Sequence, residues 1–174
     1  KANMIIPQIA RNLTCSGNLE IPAQCPVCGG ATRIQQDGSA KTLCCTNPAC
    51  QAKQIKAYAL FVSRDAMNIE GLSEATLEKF IARGFIRDYD DLFHLDRHRE
   101  EICGMEGFGE KSYGNLTASV DRARQTTLPR LLYSLGIAGI GLANAKVICR
   151  ETKAEPEALP DLTEEELDQV PGVG

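Results

Sequence analysis

The sequence predicts a mainly α-helical protein made of repeated helix-hairpin-helix units, preceded by a small cysteine-rich module. The first observation is a glycine motif, apolar-x-Gly-apolar-Gly, whose first glycine stands at positions 71, 107, 139 and 172. The copies are separated by 36, 32 and 33 residues, a period that is typical of a repeated supersecondary unit. The second observation is a set of two cysteine pairs within residues 25–50, upstream of all four copies.

We call the four copies of the motif the first hairpin (residues 69–73), the second hairpin (105–109), the third hairpin (137–141) and the fourth hairpin (170–174). The first hairpin has Ser73 where the others have their last glycine. Sequence of helical periodicity flanks the copies, so each repeat is expected to be a helix, a tight turn and a second helix. The fourth copy ends at Gly174, and we expect the last unit to lack its second helix.

Residues 1–24 have a different predicted structure from the repeats. Residues 1–9 have the composition of a single strand, and a strand needs partners, which do not follow immediately. We therefore expect the chain to begin inside a preceding domain. Residues 10–24 are polar and are predicted to form a linker.

Residues 25–51 form the predicted metal module. Cys25 and Cys28 are followed by two glycines that let the chain curl back, and a second pair ends at Cys50. That pair begins at Cys44 or Cys45, two alternatives that spacing alone leaves open. Four thiolates at this spacing suit a closed, tetrahedral zinc site, and a disulfide framework is the weaker alternative because no signal peptide is recognisable. Two strand-like runs with a turn at residues 37–38 complete a zinc ribbon or finger.

Residues 52–174 carry the apolar periodicity of helices. We expect helices over residues 52–63, 74–83, 110–124 and 127–136, then one from residue 142 and one after residue 163. Ser73 is a predicted N-cap, Gly84 a predicted end, and Thr163 with Glu166 a capping box. The positions predicted to face inward are Ile55, Tyr58, Ala59, Val62, Leu77, Phe80, Ile81, Tyr113, Leu116, Val120, Ala123, Leu142, Ala145 and Ile148.

Three cysteines remain outside the predicted metal module: Cys15, Cys103 and Cys149. Cys103 and Cys149 each follow an isoleucine in an apolar helical stretch, so we expect them to be buried small hydrophobic residues. The sequence places no histidine base near them, which argues against a catalytic thiol.

The glycine hairpins point to phosphate. The amides around the second glycine begin the next helix, lack intrahelical partners and carry the positive end of the helix dipole. A row of such anion sites can follow a nucleic-acid backbone. The alternative is that the glycines only make tight turns between packed helices. The predicted DNA-binding residues are Gly71, Leu72, Gly107, Phe108, Gly109, Lys111, Gly139, Ile140, Gly141, Lys146, Gly172 and Gly174.

The net charge of −4 and the pI of about 5.3 argue against nucleic-acid binding by bulk charge. They do not argue against capture of phosphates by backbone amides, which needs only local basic residues such as Lys111 and Lys146. Acidic side chains concentrate between residues 151 and 168. No apolar run approaches the ~20 residues of a membrane span, and we expect a monomer in the cytoplasm.

Several runs together resemble the bacterial NAD-dependent DNA ligases. CPVCGG at residues 25–30 and CTNPAC at 45–50 resemble that family's zinc finger, which favours Cys45 over Cys44 because it directly precedes Thr-Asn-Pro. FVSRDAMNIEGL at 61–72 resembles the segment that follows the finger, and EGFGEKS at 106–112 and GIAGIG at 136–141 resemble the family's later hairpins. The strand at residues 1–9 resembles the last strand of its OB-fold domain. The similarity covers essentially the whole chain, in order.

The resemblance implies a parent enzyme that seals nicks in duplex DNA during replication and repair. An active-site lysine takes AMP from NAD with release of NMN, AMP passes to the 5′-phosphate, and the 3′-hydroxyl displaces it with the help of Mg²⁺. It also implies domain bounds of 1–24 (end of the OB-fold domain and linker), 25–51 (four-cysteine zinc finger) and 52–174 (helix-hairpin-helix domain, truncated in the fourth hairpin). The implied zinc ligands are Cys25, Cys28, Cys45 and Cys50.

The chain departs from the family in one respect that bears on activity. The nucleophilic Lys-x-Asp-Gly motif is missing, since Asp37-Gly38 is preceded by two glutamines. We therefore expect a non-catalytic fragment that grips the phosphate backbone of nicked DNA and works with nucleotidyltransferase, OB and BRCT domains elsewhere. The alternatives are a domain joint with little DNA binding of its own, or a hairpin module of another DNA-repair protein.

Overall fold

The structure, a computed structural model, describes residues 11, 13–17, 20–153 and 155–172. The strand predicted over residues 1–9 and the predicted DNA-binding Gly174 lie outside these residues. The chain divides into two compact units, Lys1–Pro48 and Ala49–Gly174. The described residues are mainly α-helical with one two-stranded sheet, which confirms the predicted fold class.

In the first unit, strands β1 (Thr32–Asp37) and β2 (Ala40–Cys45) pair antiparallel, with Asp37 opposite Ala40. The tight turn between them contains Gly38, whose φ of +55° lies in the left-handed region that glycine adopts without strain. The predicted turn at residues 37–38 is confirmed. The hairpin places Cys44 and Cys45, which follow each other on β2, on opposite faces of the sheet.

The described part of the second unit contains seven α-helices and three short 3₁₀ helices. The α-helices are α1 (Gln51–Val62), α2 (Glu74–Ala82), α3 (Arg99–Cys103), α4 (Glu110–Ala123), α5 (Leu128–Ser134), α6 (Leu142–Thr152) and α7 (Glu164–Asp168). The 3₁₀ helices are Asp90–Phe93, Leu95–His98 and Pro156–Asp161.

Local signals in the sequence account for most helix boundaries. The hydroxyl of Ser73 accepts a hydrogen bond from the Thr76 N–H at the start of α2, as predicted. Gly84 follows that helix with a φ of +73°. Thr163 and Glu166 exchange the two hydrogen bonds of a capping box at the start of α7. The predicted helices are therefore confirmed, with ends that differ by one or two residues.

Two hydrophobic cores hold the second unit together, and each lies under two consecutive hairpins. The first core lies under the first and second hairpins. Its fully buried side chains include Leu77, Phe80 and Leu116. The second core is smaller and lies under the third and fourth hairpins, with Leu132, Ala145, Ile148 and Val170 at its centre.

Between α2 and α4 the sequence predicts a helical stretch at Cys103 but no helix bounds. The structure has two 3₁₀ helices there and α3, which ends at Cys103. Its apolar residues Leu92, Leu95 and Ile102 are buried in the first core, at separations of three and seven residues that one long helix would also show. Each short helix covers the core with one or two side chains. The three helices have 4, 4 and 5 residues, which is too short for a hydrophobic period to define where each begins and ends.

Asp91, in the first of these 3₁₀ helices, is a nearly buried carboxylate. It accepts hydrogen bonds from the backbone N–H of Arg87 at 2.9 Å and from its Nε at 3.3 Å. The N–H of Arg87 and then its charged side chain hold the pKa of the Asp91 carboxyl below its ordinary value.

We expect Asp91→Ala to lower the melting temperature at pH 7, with a gap to the unaltered chain that narrows as the pH falls. A lowered folded-state pKa stabilises the fold above the unfolded pKa, and this stabilisation is lost as the pH falls through the folded value. Thermal melts between pH 7 and pH 3 measure the gap. Asp90→Ala is the matched control, because Asp90 is exposed and its carboxylate lies 3.5 Å from the His94 ring. An equal, pH-independent loss in both variants would contradict the assignment.

Candidate metal centre and glycine hairpins

Four cysteines meet at one point of the structure. The Sγ atoms of Cys25, Cys28, Cys45 and Cys50 all lie within 4.8 Å of one another, and those of Cys28 and Cys45 are 3.5 Å apart. In a tetrahedral zinc site with Zn–S bonds near 2.3 Å, ligand sulfurs lie roughly 3.8 Å apart. The spacing therefore suits a metal ion held by four thiolates, and the donor set suits zinc.

The loop after Cys25 explains why this geometry forms. The N–H of Cys25 donates to the Gly30 carbonyl at 2.7 Å, and the N–H of Gly29 donates to the Cys25 carbonyl at 2.9 Å. Gly29 has a φ of +67°. At Gly30 a Cβ atom would lie 3.0 Å from Cβ of Asn47 and 3.2 Å from Sγ of Cys28, so the second glycine leaves room for the sulfur.

It is Cys45 and not Cys44 whose sulfur joins the other three. Backbone N–H groups of Cys28 and Val27 hold the pKa of the Cys25 thiol below its usual value, which favours the thiolate that a metal requires. Burial raises the pKa of the Cys45 thiol to about 11. A bound cation would reverse that shift, because a coordinating thiol is deprotonated outright.

The other cysteines do not share this environment. Cys15 is exposed, and Cys103 and Cys149 are half-buried against the first and second cores. Burial raises the pKa of both half-buried thiols. They therefore pack as small hydrophobic residues, as predicted, although neither is fully buried.

The glycine hairpins share one backbone geometry. Their first glycines, Gly71, Gly107, Gly139 and Gly172, have φ values of +92°, +83°, +81° and +82°. A side chain at these positions would be strained, which explains why glycine recurs there. For the fourth hairpin the described residues stop at this glycine.

The last residue of the first, second and third hairpins is the N-cap of a helix. Ser73, Gly109 and Gly141 have extended backbones, with φ values of −67°, −142° and −76°, and precede α2, α4 and α6. This position does not need a positive φ, so the serine in the first hairpin fits the same fold. At Gly109 and Gly141 the space that a Cβ atom would occupy is open to 4 Å.

In the first three hairpins the apolar residue that follows the first glycine anchors the turn to a core. Leu72 is 6% exposed in the first core, Phe108 packs against the same core, and Ile140 packs against the second core. These three side chains, predicted as DNA-binding residues, therefore face the protein to a large degree. The glycines beside them are exposed, as are the side chains of Glu70 and Glu106.

The hairpins differ in the charges around them. Glu70, in the first hairpin, lies 3.8 Å from the guanidinium of Arg122. Glu74, which follows this hairpin, lies 2.7 Å from the ammonium of Lys56. Glu110 follows the second hairpin and pairs with Arg99 at 3.0 Å. Residues 137–146, which include the third hairpin, contain no carboxylate, and Lys146 is exposed. Of the helices that follow the first three hairpins, α6 therefore has the least acidic N-terminus.

Within the described residues, none of the helices combines the length and the apolar character that crossing a membrane would require. No family profile matches the chain. Curated proteins named DNA ligase match it over its full length: one from Lachnoclostridium phytofermentans is 59% identical, one from Ruminiclostridium cellulolyticum 55% and one from Nitrosococcus oceani 36%. The chain covers 27%, 26% and 26% of the length of those proteins. Its whole length is therefore similar to a segment that makes up about a quarter of each of these proteins.

Proposed function

We propose that the chain is the DNA-gripping, non-catalytic part of a bacterial NAD-dependent DNA ligase. The observation that carries this is the repeated hairpin geometry, in which a left-handed glycine leads into an open N-cap at the start of a helix. Similarity to DNA ligases over the full length of the chain supports the same conclusion. The ligand is then the phosphate backbone of a nicked duplex.

The binding mode follows from the chemistry of the hairpins. Backbone N–H groups at the start of α4 and α6 are free of intrahelical partners and lie at the positive end of the helix dipole. Lys111 and Lys146 are exposed in the first turns after these hairpins and add local positive charge. Amides and lysines contact phosphates and not base edges, so the binding is indifferent to sequence and weakens as salt rises.

Zinc at the four cysteines has a structural role in this proposal. All four positions around the ion would be filled by protein sulfur, which leaves no site for water or substrate. NAD and Mg²⁺ belong to other parts of the longer enzyme, because this chain has no Lys-x-Asp-Gly motif. We place the enzyme, with its nucleotidyltransferase, OB and BRCT domains, in the bacterial cytoplasm, and the chain acts as a monomer.

A substitution at an open N-cap tests the proposal. We expect Gly109→Val or Gly141→Val to raise the Kd for a nicked duplex while the helix content stays the same. The valine fills space next to the amides, and loss of one hydrogen bond to a charged group costs roughly 1.5–3 kcal/mol, which is about ten-fold or more in Kd. Fluorescence anisotropy across a salt series measures this.

Gly114→Val is the matched control, since Gly114 lies exposed inside α4, away from the hairpin, with open space around its Cβ position. Unchanged binding by both hairpin variants would refute the amide-capture mechanism. If the unaltered chain shows no salt-dependent binding, the alternative of a structural joint between ligase domains stands. The acidic segment around α7 favours that alternative.

A further inference from the structure

The first hairpin differs from the second and third hairpins in what holds its backbone. Ser119 on α4 is fully buried. Its Oγ accepts a hydrogen bond from the N–H of Glu70 at 2.8 Å and donates to the carbonyl of Asn68 at 3.3 Å. A side chain about 50 residues away in the sequence therefore holds the backbone that leads into this hairpin.

The first hairpin has a neighbouring side chain beside its first glycine, and the second and third hairpins have none within 4 Å of the same position. A Cβ atom on Gly71 would lie 3.7 Å from Cβ of Leu116, on the same helix as Ser119. At Gly107 and Gly139, the equivalent glycines, the space is empty to 4 Å. The Cβ side of Gly71 therefore faces α4, although the glycine itself is exposed like its two equivalents.

The N-terminus of α2, the helix that follows the first hairpin, already has an N-cap side chain and a carboxylate in its first turn. The Ser73 hydroxyl accepts from the Thr76 N–H at 3.2 Å, which takes one of the amides that a phosphate would use. Glu74 puts a carboxylate in the first turn of α2 and receives two hydrogen bonds from Lys56, at 2.7 and 2.9 Å. Glu110 stands at the same position in α4 and pairs with Arg99, so the Ser73 cap, and not the carboxylate, distinguishes the first hairpin.

We propose that the first hairpin binds no phosphate and instead braces α4, with Ser119 as the positioning residue that fixes the second hairpin at the other end of that helix. This inference rests on the proposed function, because it divides the work of DNA binding among the hairpins. The second and third hairpins carry the phosphate contacts. The first hairpin sets the geometry of the second.

Aspartate at the three equivalent N-caps tests the division. Asp caps a helix as well as Ser and better than Gly, so Ser73→Asp, Gly109→Asp and Gly141→Asp should all fold. Its carboxylate would repel a phosphate at the same helix N-terminus. We expect Gly109→Asp and Gly141→Asp to raise the Kd for a nicked duplex at least about ten-fold, and Ser73→Asp to leave it within about two-fold.

Ser119→Ala tests the positioning role through coupling. We expect it to raise Kd about three-fold or more in the unaltered chain and in the Gly141→Asp background, but to have no effect once Gly109→Asp has disabled the second hairpin. A general loss of stability would act equally in both backgrounds. Ser134→Ala is the matched control, since Ser134 is equally buried but bonds only the Leu131 carbonyl within its own helix.

The outcomes separate the inference from the function on which it rests. A ten-fold loss in Ser73→Asp, or a Ser119→Ala effect that persists in the Gly109→Asp background, would overturn the bracing role and leave DNA binding by the chain intact. Absence of salt-dependent binding by the unaltered chain would overturn the proposed function, and the inference with it.

Discussion

Cys45→Ser should abolish the binding of one zinc ion per chain, whereas Cys44→Ser should leave it intact. The two residues are neighbours on β2, but only the sulfur of Cys45 lies within 4.8 Å of those of Cys25, Cys28 and Cys50. Structural zinc contributes an apparent free energy of roughly 10–16 kcal/mol in small finger peptides. This is the largest single effect that we expect from any substitution in the chain.

The effect is large because the first unit has little else to stabilise it. Among its described residues, Cys25 is the one buried apolar residue. A two-stranded hairpin alone is at best marginally stable in water. We therefore expect the β1–β2 pairing to be lost together with the metal.

Zinc content of the purified protein and strand-specific amide exchange measure the two consequences. Cys44→Ser is a strict control because it removes a thiol from the same strand without touching the cluster. If Cys44→Ser lost zinc and Cys45→Ser kept it, the strand register in the structure would be wrong by one residue. If both variants kept zinc, Cys45 would not be a ligand.

The choice between Cys44 and Cys45 illustrates what the sequence alone leaves open. Either residue stands at an acceptable distance from Cys50 along the chain, and resemblance to a family was needed to favour one. In the structure the alternation of a β-strand makes the choice, because successive side chains point to opposite faces. The register is set by the turn at residues 37–38, and that turn was predictable.

The helices and hairpins were predictable for a local reason. Ser73, Gly84 and the capping box at residues 163–166 act within one helical turn, so the sequence contains all the information needed. The bracing by Ser119 could not be predicted in this way. It joins residues about 50 positions apart, and a lone serine in an amphipathic helix has no distinguishing pattern.

Two further features of the second unit depended on tertiary structure. The short helices between residues 90 and 103 cover the first core with buried side chains such as Leu92 and Ile102, and each is too short for its bounds to follow from a periodic pattern. The division into two cores could not be predicted from the sequence either, because nearly equal spacing of the four hairpins does not show which of them share a core.

Phe80→Ala should destabilise the first core by roughly 3–5 kcal/mol. Phe80 is fully buried, and its ring centroid lies 5.6 Å from that of Phe85 and 5.7 Å from that of Phe108. The free energy of unfolding of a native protein is about 5–15 kcal/mol, so this loss is a large share of the stability. Phe108 belongs to the second hairpin, so the second hairpin should loosen as well.

Ile148→Ala makes the complementary change in the second core, where Ile148 is 1% exposed. The expected cost is roughly 2–5 kcal/mol, and amide exchange should accelerate first in α5 and α6 while Leu77 and Leu116 keep their protection. Leu135→Ala, at a side chain that is 46% exposed, should change the stability by at most about 0.5 kcal/mol. Urea melts followed by residue-specific exchange distinguish the variants. If Ile148→Ala lowered protection equally in both cores, the two cores would form one cooperative unit, and the four hairpins would then be held as a single rigid set rather than as two pairs.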